Sequence, residues 1–166
     1  MTDSAASPTI RSRALTIAGI ALIVGPIVAA AIKFASFGWL MILWIWMLYP
    51  PVLLLLGWAL QIVIASTGYF GRRAPFALHG RSRAVAAAWT TIAGLLLIAF
   101  FLVDGADTSW GSTFMYLTGT ASDDTAGAVS TTIATIALVP WLGGWLWLLA
   151  EWIVALVRRA RVRRRG

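Results

Sequence analysis

From Trp39 to Phe70 the chain carries no charged side chain. That run is well past the roughly 20 apolar residues one membrane-spanning helix needs. Three further apolar runs accompany it: Ala14 to Ile32, Ala84 to Val103, and about Ala126 to Val157. Hydrocarbon offers no partner to a backbone N–H or C=O, so such runs must fold as helices that satisfy their own backbones. Composition agrees, since 11% of the residues are charged against about a quarter in a soluble domain. The expected fold is all-α, an integral membrane four-helix bundle.

The spans are expected at about 14–34, 39–68, 84–103 and 130–157, with a loop over 104–129 and tails at 1–13 and 158–166. The first tail is small, polar and proline-containing, which predicts disorder. A cleaved signal peptide is the competing reading of the first run, because Ala29-Ala30-Ala31 resembles a cleavage site. Its length argues against that, since signal cores run about 7–15 residues. Pro26 beside Gly25 predicts a kink in the first helix. Pro50-Pro51 and Pro140 predict kinked second and fourth helices. The prolines at 50 and 51 also admit a hairpin of two short helices.

Charge decides between those readings. All twelve arginines lie in the first tail, the loop 72–83 and the last tail. The other two connections hold Lys33 and four aspartates, Asp104, Asp107, Asp123 and Asp124. Positive loops stay cytoplasmic, so four spans with both termini inside the cell's plasma membrane satisfy the pattern and five do not. Lys33 is expected to snorkel to the interface, and the aspartates to be solvated. Trp110, Phe114 and Leu117 recur at helical spacing, which predicts a short interfacial helix ending near Gly119.

Four helices place polar or tiny residues at a similar depth, measured at about 1.5 Å per residue from the arginine boundaries. These residues are Glu151, Gln61, the pair Thr90 and Thr91, and Gly19. Each shares a helical stripe with small residues: Gly57 and Ala65 with Gln61, Ala86 and Gly94 with Thr90, Gly144 and Ala155 with Glu151. Such stripes predict packing seams, as does the row Ala21, Gly25, Ala29 in the first helix. A carboxylate in lipid must be neutralised, paired or hydrated. No basic residue stands at its depth, so Glu151 is expected to hydrogen-bond Gln61 or a threonine.

Cysteine is absent and the single histidine, His79, lies in a loop. That removes thiol chemistry and axial histidine pairs for haem. No phosphate-binding loop, zinc motif or catalytic triad appears, so no cofactor and no metal are expected. Arg72, Arg73, Arg81, Arg83, Arg158, Arg159 and Arg161 are read as contacts to anionic lipid headgroups. Aromatic interleaving is missing, which argues against nucleic acid as a partner. The expected role is that of a small non-enzymatic accessory or scaffolding subunit, partnered by membrane lipids and by other subunits or itself. The alternatives are a proton- or cation-coupled transporter or pore using Glu151, and a holin-like permeabilising protein.

Overall fold

A computed structural model describes residues 8–36, 38, 49–70, 74–78, 81–105 and 109–163. Its long elements are helices: α1 (Pro8–Phe34), α2 (Tyr49–Gly68), α3 (Pro75–Leu78), α4 (Arg81–Phe101), α5 (Thr113–Thr118) and α6 (Asp124–Arg163). Two short strands, β1 (Asp104–Gly105) and β2 (Trp110–Gly111), pair antiparallel between α4 and α5. Among the described residues, three helices are long and apolar enough to cross a membrane: Arg13–Phe34, Arg81–Phe101 and Asp124–Arg161. The apolar part of α2, Val52–Gly68, is shorter.

Helix α4 is central, and its composition explains why. Ala84, Ala87, Ala88, Thr91 and Gly94 are buried, and side chains this small let two neighbours approach closely. On one side α6 packs antiparallel to α4, with Gly94 against Trp141, Thr91 against Gly144 and Arg83 beside Glu151. On another, α1 lays Gly25 against Ile92. Helix α2 packs on α1 through Ile64, Ala65 and Gln61. The start of α1, the end of α2, α3, the start of α4 and the last turns of α6 meet at one end. Arg13, Arg83, Arg158, Arg159 and Arg161 are exposed there and Arg81 is half-buried. We call this the arginine end.

Several expectations are corrected. Helix α1 starts at Pro8, so the stretch from Pro8 to Arg13 is helical and does not belong to a disordered tail. Pro50 and Pro51 stand in the first turn of the described helix Tyr49–Gly68, where a missing N–H costs nothing; the expected kink of a helix from residue 39 onward falls on residues outside the described ones. Residues 39–48, Arg72, Arg73, His79 and Asp107 lie outside the described residues. Helix α6 runs unbroken through Pro140 for 40 residues, about 60 Å. Among the described residues, α2 meets α6 at the arginine end, where Trp152 Nε1 of α6 donates to Thr67 Oγ1 of α2 at 2.9 Å. Away from it Val52 to Leu56 are all exposed, and five consecutive residues cover more than a full helical turn.

The opposite end carries a small cap made of the hairpin, α5 and the start of α6. Ser112 caps α5 by accepting from the Met115 N–H, and Gly119 closes it in the left-handed region at φ 69°. The expected end at Gly119 is observed. Trp110 belongs to β2, and its indole covers Gly127 of α6. Phe114 packs against Phe100 and Phe101 at centroid distances of 6.2 and 5.1 Å.

Candidate functional site

Polar side chains gather in three distinct arrangements, of which the first two involve residues of the expected layer. Glu151 is half-buried at the arginine end and accepts from Trp147 Nε1, one turn earlier on α6, at 3.3 Å. Its Oε1 lies 3.9 Å from the Arg83 guanidinium of α4, whose side chain is 72% exposed. The expected bond to Gln61 or a threonine is therefore replaced by Trp147 and Arg83. Arg83 was set as a boundary, but the arginine side chain is long enough to reach inward past its own Cα level.

Gln61 answers a need in another helix. Pro26 has no N–H, so the carbonyl four residues before it, Leu22, loses its helical donor. Gln61 Nε2 donates to that carbonyl at 2.7 Å. One turn earlier on α2, Trp58 Nε1 donates to the adjoining carbonyl of Ile23 at 3.1 Å. A proline inside a membrane helix is tolerated when a neighbour satisfies the group it frees, and Gln61 does so here. Trp58 is missing from the expected site residues. The signal was present in the sequence, as a proline inside one apolar run and a lone amide inside the next.

The threonines divide. Thr91 is fully buried and donates to its own helix at the Ala87 carbonyl, 2.8 Å away. Thr90 is half-buried, and Ala86 on its stripe is exposed. The inward stripe of α4 is rotated by one residue from the expected one. Of the packing candidates, Gly94 and Gly144 form the α4–α6 seam and Gly25 the α1–α4 seam. Gly19 lies against Tyr69 and Phe70, Ala29 is buried, and Ala21 packs beside the core. Gly57 is the correction: among the described residues a Cβ there would meet nothing within 4 Å. Near the arginine end Tyr69 is buried, donates to the Ala84 carbonyl at 2.5 Å, and meets Phe76 edge-on at 4.9 Å.

The third arrangement, at the cap end, was not expected. Lys33 and Asp104 are both 5% exposed, and Lys33 Nζ lies 3.7 Å from Asp104 Oδ2. The ammonium also donates to the Leu102 carbonyl at 3.1 Å and to the Ser36 carbonyl and hydroxyl, each at 3.3 Å. Asp104 Oδ1 accepts the Gly105 N–H at 2.8 Å. Gly38 sits so close over this carboxylate that a Cβ would lie 2.7 Å from it. Thr113 completes the knot, 2.9 Å from Ser36 Oγ and 2.9 Å from the Ile32 carbonyl. Lys33 does not snorkel and Asp104 is not solvated; each is the other's counter-charge. Asp123 and Asp124 are exposed as expected.

No buried side-chain polar atom among the described residues lacks a partner, and no group of three metal-ligating side chains gathers among them. No protein-family pattern, no characterised protein and no solved structure matches this chain.

Proposed function

We propose that this is a four-span plasma-membrane protein with both termini cytoplasmic, acting without catalysis as an accessory or scaffolding subunit of a membrane complex. The observation that carries the reading is α2. Its last turns are bound to α1, while Val52 to Leu56 present apolar side chains in every direction. A helix left bare on all faces has room for another helix beside it, and tight membrane helix contacts come from packing of this kind. The polar side chains inside the bundle support the same reading, since Gln61 and Thr91 are engaged in holding helices together. At the arginine end the exposed Arg83, Arg158, Arg159 and Arg161 and the half-buried Arg81 suit anionic headgroups, at about 1 kcal/mol each near the surface. The one-sided placement of arginine supports the cytoplasmic orientation. The test is purification from its native membrane in mild detergent. Stoichiometric recovery of a second membrane protein, or of a homo-oligomer, is expected. Recovery of a lone monomer overturns the reading.

The second reading, a small proton- or cation-coupled transporter or pore, rests on the partly exposed Glu151 carboxylate. Flux in proteoliposomes that disappears in Glu151→Gln would favour it over the first. Equal flux, or none, from both proteins removes it.

A further inference from the structure

Helices α4 and α6 reach their innermost arginines at different levels. The two pack antiparallel with Gly144 against Thr91, which fixes their axial register. Arg83 stands 8 positions before Thr91, and Arg158 stands 14 positions after Gly144. The innermost arginine of α6 therefore lies six residues further out than that of α4, a step of about 9 Å. Apolar surface fills the difference, since Ile153, Val154, Leu156 and Val157 of α6 are exposed beyond the level of Arg83. At the cap end the same two helices match. Helix α4 ends at Phe101, 10 positions after Thr91, and the exposed Thr131, Thr132 and Thr135 stand 13, 12 and 9 positions before Gly144. A tilt of the whole bundle shifts α6 against α4 equally at both ends, so it cannot level one end without unlevelling the other.

We propose that the leaflet at the arginine end dips along α4, drawn down by an anionic phospholipid whose phosphate sits on Arg83 and Arg81. This rests on the membrane-spanning reading above and adds a discrete lipid site to it. Hydrocarbon that reaches the level of Arg158 along α6 would submerge Arg83 by about 9 Å. An arginine at that depth is relieved by headgroups and water pulled in beside it. Thinning the bilayer locally over such a mismatch has a modest cost per ångström. Glu151 makes the site more than a loose surface charge. Trp147 Nε1 donates to Glu151 at 3.3 Å, and Glu151 Oε1 lies 3.9 Å from the Arg83 guanidinium. The carboxylate so fixed holds the guanidinium at its inward level. With its side chain 72% exposed, Arg83 keeps N–H groups open for a second acceptor. Arg81 and Arg83 against Glu151 leave one positive charge, which one phosphodiester neutralises. Phosphate is the ligand class because its oxygens match the planar fork of arginine, and Glu151 acts as a positioning residue.

The protein has no cysteine, so single introduced thiols carry spin labels without background. Ala86 of α4 and Ala150 of α6 are exposed and stand level within one residue of each other, and Leu97 and Leu138 form a matching exposed pair nearer the cap. Label depth is read in nanodiscs from the relative access of oxygen and a water-soluble nickel chelate. In phosphatidylglycerol mixed with phosphatidylcholine, Ala86→Cys should lie several ångströms shallower than Ala150→Cys, while Leu97→Cys and Leu138→Cys should lie equally deep. The inner difference should shrink in phosphatidylcholine alone and on adding Arg83→Gln. The comparison of lipids leaves the arginines unchanged and stands where Arg83→Gln fails to fold. Native mass spectrometry should find one phosphatidylglycerol retained by the parent and by Arg161→Gln, and lost from Arg83→Gln. Equal depths at Ala86 and Ala150, a comparable difference at the cap-side pair, or an inner difference unchanged in phosphatidylcholine overturns the site. Aqueous access at all the labelled positions would instead overturn the membrane-spanning reading.

Discussion

Gly144 of α6 faces Thr91 of α4 so closely that a Cβ on the glycine would lie 2.7 Å from the threonine's amide nitrogen and 2.8 Å from its hydroxyl. Gly143, its immediate neighbour, looks outward with nothing within 4 Å. Two adjacent glycines thus carry opposite expectations. Gly144→Ala should destabilise by about 1–3 kcal/mol through overpacking against backbone. Gly143→Ala should be neutral, or stabilising by up to about 1 kcal/mol, because alanine favours the helix. Denaturation midpoints in detergent micelles measure both, and equal midpoints would refute this account of the seam.

The brace between α1 and α2 predicts non-additivity. Gln61→Leu should cost about 0.6–2 kcal/mol by leaving the Leu22 carbonyl without a donor. In a Pro26→Ala background that carbonyl regains the N–H of its own helix, so the same Gln61 substitution should cost less. A double-mutant cycle reads the difference directly. Equal costs in the two backgrounds would mean that Gln61 serves some other group.

Tyr69 sets the behaviour at alkaline pH. Burial pushes its phenol above the ordinary tyrosine value, so the folded protein holds the neutral form while the unfolded chain ionises near pH 10. Its contribution is therefore fully present below about pH 10 and declines as pH rises further. Tyr69→Phe should lose about 1 kcal/mol at neutral pH, the hydrogen bond to the Ala84 carbonyl. It should also show a shallower loss of stability between pH 10 and 11 than the parent, followed by unfolding at fixed detergent. Parallel pH profiles would exclude Tyr69 as their source.

Glu151 should matter little to stability. Its partner Arg83 is 72% exposed and 3.9 Å away, and exposed pairs contribute about 0–1 kcal/mol. Glu151→Gln should shift the unfolding midpoint by no more than that amount. A loss several times larger would show the carboxylate to be more deeply engaged than its exposure indicates.

The helical segments were legible because long uncharged runs have few ways to satisfy their backbones away from water, and three of the described helices are long and apolar enough to cross a membrane. The glycine seam at Gly94 and Gly144 was legible for a similar reason, since close helices need small residues. What the sequence does not contain is the rotation and axial register of one helix against another. A shift of one residue in α4 makes Thr91 an inward group and leaves Thr90 half-buried. The partner of Glu151 depends on how far the Arg83 side chain reaches. Lys33 and Asp104 stand 71 positions apart, and only the folded cap brings them together. Pro26 and Gln61 were each visible, and their pairing was not, because it follows from the level at which α2 crosses α1.

That crossing has a consequence for biosynthesis. On the proposed four-span reading, α1 and α2 reach the bilayer before α4 has been made. During that interval the Leu22 carbonyl, which loses its helical donor to Pro26, would otherwise face lipid tails. Gln61 and Trp58 lie on α2, so the nascent pair can close over that carbonyl at once, and the chain need not wait for α4 to be translated.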